Sequence, residues 1–102
     1  MGGSTRGRGR HEKNQALLFA LRHKLRRQVM RLMSDGREAS PSQIAAELGA
    51  VLSSVAYHVR VLAECGALEA TVNQNVRGAT KHFYRCSMEA EWARVMLEEE
   101  ED

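Results

Sequence analysis

The sequence predicts a mainly helical α+β fold: a three-helix core, a two-stranded β-wing and an extra terminal helix. Apolar residues recur at spacings of three and four up to residue 64, and two strand-like stretches and a last amphipathic stretch follow. The 102 residues suffice for one domain with a modest core. We expect this domain at residues 12–97, between a disordered basic Gly/Arg tail at 1–11 and an acidic tail at 98–102.

The first helical pattern begins near Glu12 and ends before Gly36, a residue suited to the left-handed conformation after a helix. Either one long helix or two helices with a break near His23 fit this pattern, since no Pro or Gly forces a break. Its apolar face is predicted to comprise Leu18, Leu21, Leu25, Val29 and Leu32.

A helix-turn-helix is predicted over residues 41–64. Ser40 can cap the second helix, and Pro41 fits its first turn because the missing N–H costs nothing there. Ala45 is small enough for a close helix crossing, and Gly49 suits the turn. The third helix runs from about Leu52, with Val55, Val59 and Leu62 facing inward. A plain helical hairpin in a bundle is the alternative.

The outer face of the third helix separates these alternatives. Its residues are hydrogen-bonding and mostly short, and they concentrate in the N-terminal half, the part of a recognition helix that enters the major groove. An ordinary solvent-exposed face carries more Glu and Lys. We therefore expect a recognition helix at residues 53–64, with DNA contacts from Ser53, Ser54, Tyr57, His58 and Arg60.

A β-hairpin, the wing, is predicted at residues 68–86. Its strands are Leu68–Val72 and Ala79–Cys86, and the polar segment Asn73–Gly78 joins them. Arg77 and Lys81 lie at the far end, where a wing tip meets phosphates or the minor groove; an ordinary polar loop is the alternative. A short terminal helix at residues 88–97 follows, with Trp92, Val95 and Met96 as its apolar residues.

The net charge of +2 conceals an uneven distribution: residues 1–88 carry a balance of +8, and residues 89–102 a balance of −6. Excess positive charge on a folded domain raises its affinity for phosphate backbones. The Gly/Arg tail is either a minor-groove arm or, at least at residues 1–4, an expression remnant. Four arginines of the first helical pattern either contact the DNA backbone or form a solvated helix face. They are Arg22, Arg26, Arg27 and Arg31.

The chain resembles the ArsR-type winged-helix regulators over about residues 16–86. The most specific match is Tyr57-His58 followed by Leu62 and Gly66; weaker matches are Ala20–Leu32, Pro41–Gly49, Ser53–Glu69 and Val76–Arg85. The resemblance implies a dimer formed through the first and last helices. It also implies a repressor that binds a palindromic operator and releases it on sensing a metal or another signal.

Two features depart from that family. Val51-Leu52 stands where members commonly have a capping Ser or Thr, so we expect Ser53 to cap a recognition helix that starts late. The Cys-x-Cys motif and the His/Asp/Glu sets of the metal sensors are missing, so the resemblance does not imply metal sensing. His82 and Cys86 on one strand would stand roughly 13 Å apart, too far to share one ion. We expect no metal and no cofactor.

Other function classes find little support. No paired acids, phosphate loop or nucleophile arrangement indicates an enzyme. No apolar run approaches the ~18 residues of a membrane span, and two cysteines are compatible with reduced thiols in a cytoplasm. We therefore expect a dimeric, sequence-specific DNA-binding regulator, a repressor of cytoplasmic location. The alternative is a winged-helix module that binds another protein and touches DNA only incidentally.

Overall fold

A bundle of short helices carries a two-stranded hairpin, which confirms the predicted mainly helical α+β fold. The computed structural model describes Glu12, residues 14–89 and residues 91–99. Both the Gly/Arg tail predicted at 1–11 and residues 100–102 of the acidic run lie outside the described residues. The elements are α1 (residues 14–20), α2 (Lys24–Met33), α3 (Pro41–Leu48), α4 (Leu52–Glu64), β1 (Leu68–Val76), β2 (Ala79–Cys86) and α5 (Glu91–Glu99).

The first helical pattern is two helices, with the break at residues 21–23. His23 is the N-cap of α2, and its Nδ1 accepts a hydrogen bond of 3.2 Å from the Leu25 N–H. The Arg27 guanidinium donates to the carbonyls of Leu21 and Arg22, each at 2.8 Å. A side-chain cap thus starts α2, and a side chain from α2 satisfies carbonyls left open at the break.

The break changes which side chains are buried. The predicted stripe assumed one helix, and it wrongly placed Leu18 in the core; Leu17 is buried and Leu18 is exposed. Because α2 begins its own helical phase after His23, Met30 and Met33 are fully buried alongside Val29.

The helix-turn-helix forms by the local chemistry that the sequence predicts. The Ser40 hydroxyl accepts from the Gln43 N–H, and the Gln43 side chain accepts from the Ser40 N–H at 2.9 Å, a reciprocal capping box. Gly49 ends α3 with φ +63°, and Ala45 is buried. The axes of α3 and α4 are bent by 119°, close to the angle between the two helices of a helix-turn-helix.

The start of α4 differs from the expectation. The helix begins at Leu52, its N-cap is Val51, and no side chain caps it; Ser53 lies inside the first turn. The expected late start with Ser53 as the cap is therefore wrong. Val51 already has extended backbone angles (φ −71°, ψ 131°), and its carbonyl accepts from the Val55 N–H at 3.0 Å, so the helix starts without a side-chain acceptor.

The hairpin is longer and its turn tighter than predicted. Residues 73–76, expected in the connecting loop, belong to β1, and the turn is only Arg77-Gly78, both with positive φ. Polar cross-strand pairs extend the ladder: Asn73 lies 2.7 Å from His82, and Thr80 donates to Asn75. One extra residue of β1 forms a bulge between Ala70 and Asn73.

The terminal helix starts at Glu91, later than the predicted residue 88, and it includes Glu98 and Glu99 of the predicted acidic tail. Ser87 donates from its N–H to the Ala67 carbonyl and from its hydroxyl to the Gly66 carbonyl, which holds the end of β2 against the end of α4. Ala93 and Leu97 of α5 enter the core with the apolar residues of α2, α3 and α4.

Among the described residues, no single helix is long and apolar enough to cross a membrane. Helices α3 and α4 reach that length and composition only when they are taken together across their bend.

Candidate nucleic-acid interface

Four of the five predicted contact residues on α4 are exposed. Ser53, Tyr57 and Arg60 are spaced four and three residues apart, so they lie on one side of the helix, and Ser54 is adjacent to Ser53. The opposite side, with Val55, Val59 and Leu62, is in the core. The helix therefore presents hydroxyl, phenol and guanidinium groups outward.

His58 is the exception, and its expected outward orientation is wrong. Its side chain is only 7% exposed, and its Nδ1 accepts a hydrogen bond of 3.1 Å from Arg26 Nε on α2. Burial lowers the pKa of His58, and the nearby His23 and Arg26 lower it further. The His58 ring is thus held against α2 and does not point outward from α4.

The partner of His58 is Arg26, a contact that the sequence analysis did not predict. Its interpretation as part of a phosphate-binding or solvated face is wrong, because it is 8% exposed and bonded to His58. The spacing of Arg26 and His58 from buried apolar residues could have predicted that both are buried. Arg26 precedes Val29 and Met30 by three and four, as His58 follows Val55 by three, so each falls on the buried stripe of its helix.

An open pocket of about 240 Å³ lies between the start of α3, the middle of α4 and strand β2. Arg60 and Lys81, which are far apart in sequence, both line it, together with the hydroxyl-bearing Ser42 and Thr80. The remaining lining residues are Ser40, Pro41, Ala56, His82 and Tyr84. No carboxylate is among these residues, so the pocket suits an anion.

Backbone pairing fixes the wing relative to this pocket. Ala39, just before α3, exchanges two hydrogen bonds with Tyr84 of β2, at 3.0 and 2.9 Å. Tyr84 and Phe83 are both half-buried, and Tyr84 packs against the core. Because the same strand carries Lys81, this pairing sets the distance between the wing cation and α3. Arg77 projects from the tip of the hairpin with φ +52°.

The cysteines and the described histidines were considered as metal ligands. Within the described part of the chain, no three His, Cys, Asp or Glu side chains come together as a metal site would require. Cys65 and Cys86 are free thiols and half-buried. Burial raises the pKa of the Cys65 thiol, and its Sγ donates to the Leu62 carbonyl, as expected of a structural cysteine.

The sequence was compared with models of known protein families. The family model described as a helix-turn-helix domain matches residues 21–71, half of the chain, and includes α2, α3 and α4. The chain belongs to the helix-turn-helix domain family. No curated protein matches it in sequence. The matched segment contains every predicted contact residue on α4, whereas Arg77 and Lys81 of the wing lie beyond it.

Solved structures extend the helix-turn-helix likeness to the wing. Reduced HlyU from Vibrio cholerae is 20% identical, with a TM-score of 0.65 over 91% of this chain and 90% of that one. The homodimeric winged helix-turn-helix domain of Mb0332 from Mycobacterium bovis, a possible ArsR-family regulator, is 22% identical, with a TM-score of 0.65 over 91% and 79%. The repressor BigR from Xylella fastidiosa is 22% identical, with a TM-score of 0.60 over the whole of both chains.

These likenesses confirm the predicted winged helix-turn-helix fold. Mb0332 is described as a possible transcriptional regulator and BigR as a transcriptional repressor.

Proposed function

We propose that this chain is a sequence-specific transcription regulator that binds double-stranded DNA through α4 and the wing. The pocket shared by Arg60 and Lys81 carries the proposal, because it joins a cation on each of the two elements and has no carboxylate in its lining. A DNA phosphate is negatively charged and so complements these two cations. Contacts between a protein and DNA phosphates fix the register of the protein on the duplex. Arg60 then contacts the backbone, and Ser53, Ser54 and Tyr57 are left to face the base edges.

The finer proposal is a homodimeric repressor, acting in the cytoplasm on a palindromic operator. Exposed apolar side chains on α1 and α5 support dimerisation: Leu18, Phe19, Trp92 and Val95. Mb0332 is itself homodimeric. Two recognition helices related by a two-fold axis read two half-sites about one helical turn apart, which is why a dimer needs a palindrome.

The test starts by selecting bound duplexes from a random pool with the full chain. Binding to the selected duplex is then measured over a range of salt concentrations. Affinity should fall steeply with salt. Arg60→Ala and Lys81→Ala should each reduce the slope of log K against log salt by about 2, because a dimer loses one phosphate contact in each subunit. Arg94→Gln is the matched control: it removes one charge from α5 but keeps a donor for the Met88 carbonyl, and it should leave the slope unchanged.

Selection of no common sequence, or equal slopes for the wild type and both pocket variants, contradicts the proposal. In that case the protein-binding module becomes the better account of the fold.

A further inference from the structure

The tip of α4 exposes apolar side chains whose role the proposed DNA contacts leave open. Val51 is 68% exposed and Leu52 is 50% exposed, and both precede the first polar residues of the helix. Tyr57, one and a half turns further along, is 55% exposed. Isolated exposed apolar residues are common, but two consecutive ones at the entrance of a recognition helix lie where base edges are read.

A valine at the N-cap of α4 lowers the stability of the fold. Ser, Thr, Asp and Asn are preferred there because their oxygens satisfy a free N–H of the first turn, and Val is among the poorest choices. The Val51 backbone already has the extended angles that a capping side chain uses. A residue that breaks a local rule without a compensating contact in the fold is a candidate for contact with a ligand.

The surroundings of the tip fit DNA as the occupant. Residues 48–63 contain no Asp or Glu, so the first three turns of α4 carry no acidic side chain that would repel a phosphate-lined groove. Ser53 and Ser54 beside the tip are exposed and polar, and Arg60 on the same helix lines the cationic pocket. Within the major groove, the C5-methyl of thymine is the apolar feature of the base-pair edges.

We propose that Val51 and Leu52 read thymine methyl groups in each half-site, with Tyr57 beside them, and that they make thymine a determinant of the operator. The inference rests on the proposed function and adds a contact that hydrogen bonding cannot supply. It assigns specificity to residues outside the polar set Ser53, Ser54 and Arg60.

The experiment replaces thymine by deoxyuridine, which lacks only the methyl group, at each thymine of the selected duplex in turn. At one or two positions per half-site the wild-type chain should lose about fourfold in affinity, the value of one buried methyl-sized group. Deoxyuridine in the flanks is the control and should have no effect. In Val51→Ser or Leu52→Ser the loss at the same position should vanish, because no apolar side chain remains to contact the methyl.

A second readout separates contact from folding. Val51→Ser supplies the missing cap, so it should raise the midpoint of urea unfolding while it weakens binding to the thymine duplex. A variant that is more stable and binds less tightly cannot owe its weaker binding to misfolding.

Three results overturn the inference while leaving the proposed function standing. They are a selected duplex insensitive to deoxyuridine, a deoxyuridine loss that persists in both serine variants, and a change of dimer mass in those variants. The last would make the tip a contact between protein subunits. Failure to select any duplex overturns both proposals.

Discussion

Arg26 Nε of α2 donates a 3.1 Å hydrogen bond to His58 Nδ1 of α4, and both side chains are buried. Because Nδ1 accepts, this geometry assigns the proton of the neutral ring to Nε2. The His23 ring, which belongs to the cap of α2, lies 4.1 Å from the His58 ring, and Tyr57 meets it edge-on at 5.1 Å. Helix α4 is thus held to α2 by a hydrogen bond that needs His58 uncharged.

The first prediction concerns acid stability. Folding lowers the pKa of His58 from its ordinary value of 6.5, through burial first and then through His23 and Arg26. Between the lowered pKa and 6.5 the unfolded chain binds more protons than the folded one, so the free energy of unfolding falls as the pH decreases through that window. Above 6.5 this effect is absent. Urea unfolding at a series of pH values between about 7.5 and 5 measures it.

His58→Gln tests the assignment, because the Gln oxygen can accept from Arg26 and cannot titrate. It should flatten the pH dependence below 6.5. His82→Gln removes an exposed imidazole from the wing and serves as the control, which should keep the wild-type dependence. If His58→Gln unfolds with the same pH dependence as the wild type, His58 is not the group responsible.

Sequence reasoning succeeded where a feature depends on neighbouring residues. Ser40, Pro41 and Gly49 each act within one turn of chain, so capping and turn chemistry predict their roles without tertiary knowledge. It failed for His58, whose partner is 32 residues away and whose polar character masked its place on the apolar stripe. Packing between helices decides whether a polar side chain such as His58 is buried, and the residue type alone does not.

The second prediction concerns the turn of the helix-turn-helix. Gly49 has φ +63°, and a Cβ added there would meet nothing within 4 Å, so Gly49→Ala introduces backbone strain without a clash. We expect a loss of about 1 kcal/mol, which thermal unfolding would show as a fall of roughly 4–8 °C. Gly49→Asn is the matched control with a smaller loss, since Asn tolerates the left-handed conformation. Equal stability of the Ala variant and the wild type would show that the turn relaxes freely.

The third prediction concerns the wing tip. Arg77 is the non-glycine residue with positive φ in the described part of the chain, and with Gly78 it forms a turn in which Asn-Gly is strongly preferred. Arg77→Asn should therefore raise stability by up to about 1 kcal/mol. On the proposed function it should also weaken DNA binding, because a cation is lost.

Arg77→Gln separates these two effects. It removes the charge but keeps the strain, so it should weaken binding as much as Arg77→Asn does, without the gain in stability. Denaturation midpoints and affinity for the selected duplex give the two readouts. Unchanged binding in both variants would remove Arg77 from the interface.

The wing shows a second limit of sequence reasoning. The segment Asn73–Gly78 looks like a loop because its residues are polar, but four of them belong to a strand. A hairpin that projects from a domain has no apolar face to reveal its period. Its register depends on cross-strand pairs such as Asn73 with His82, together with the turn.

The last prediction concerns dimerisation through α1 and α5. Phe19 is 65% exposed and Trp92 is 38% exposed, so each presents apolar surface that a partner subunit would cover. A buried, unpaired carboxylate is strongly unfavourable, so Phe19→Glu and Trp92→Glu should shift the sedimentation mass from dimer to monomer at micromolar concentration. Val72→Glu is the control: Val72 is an exposed apolar residue of the wing, and its variant should remain dimeric. A monomeric wild type would remove the basis for a two-fold operator. Dissociation of the Val72 variant alone would place the dimer contact on the wing instead of on α1 and α5.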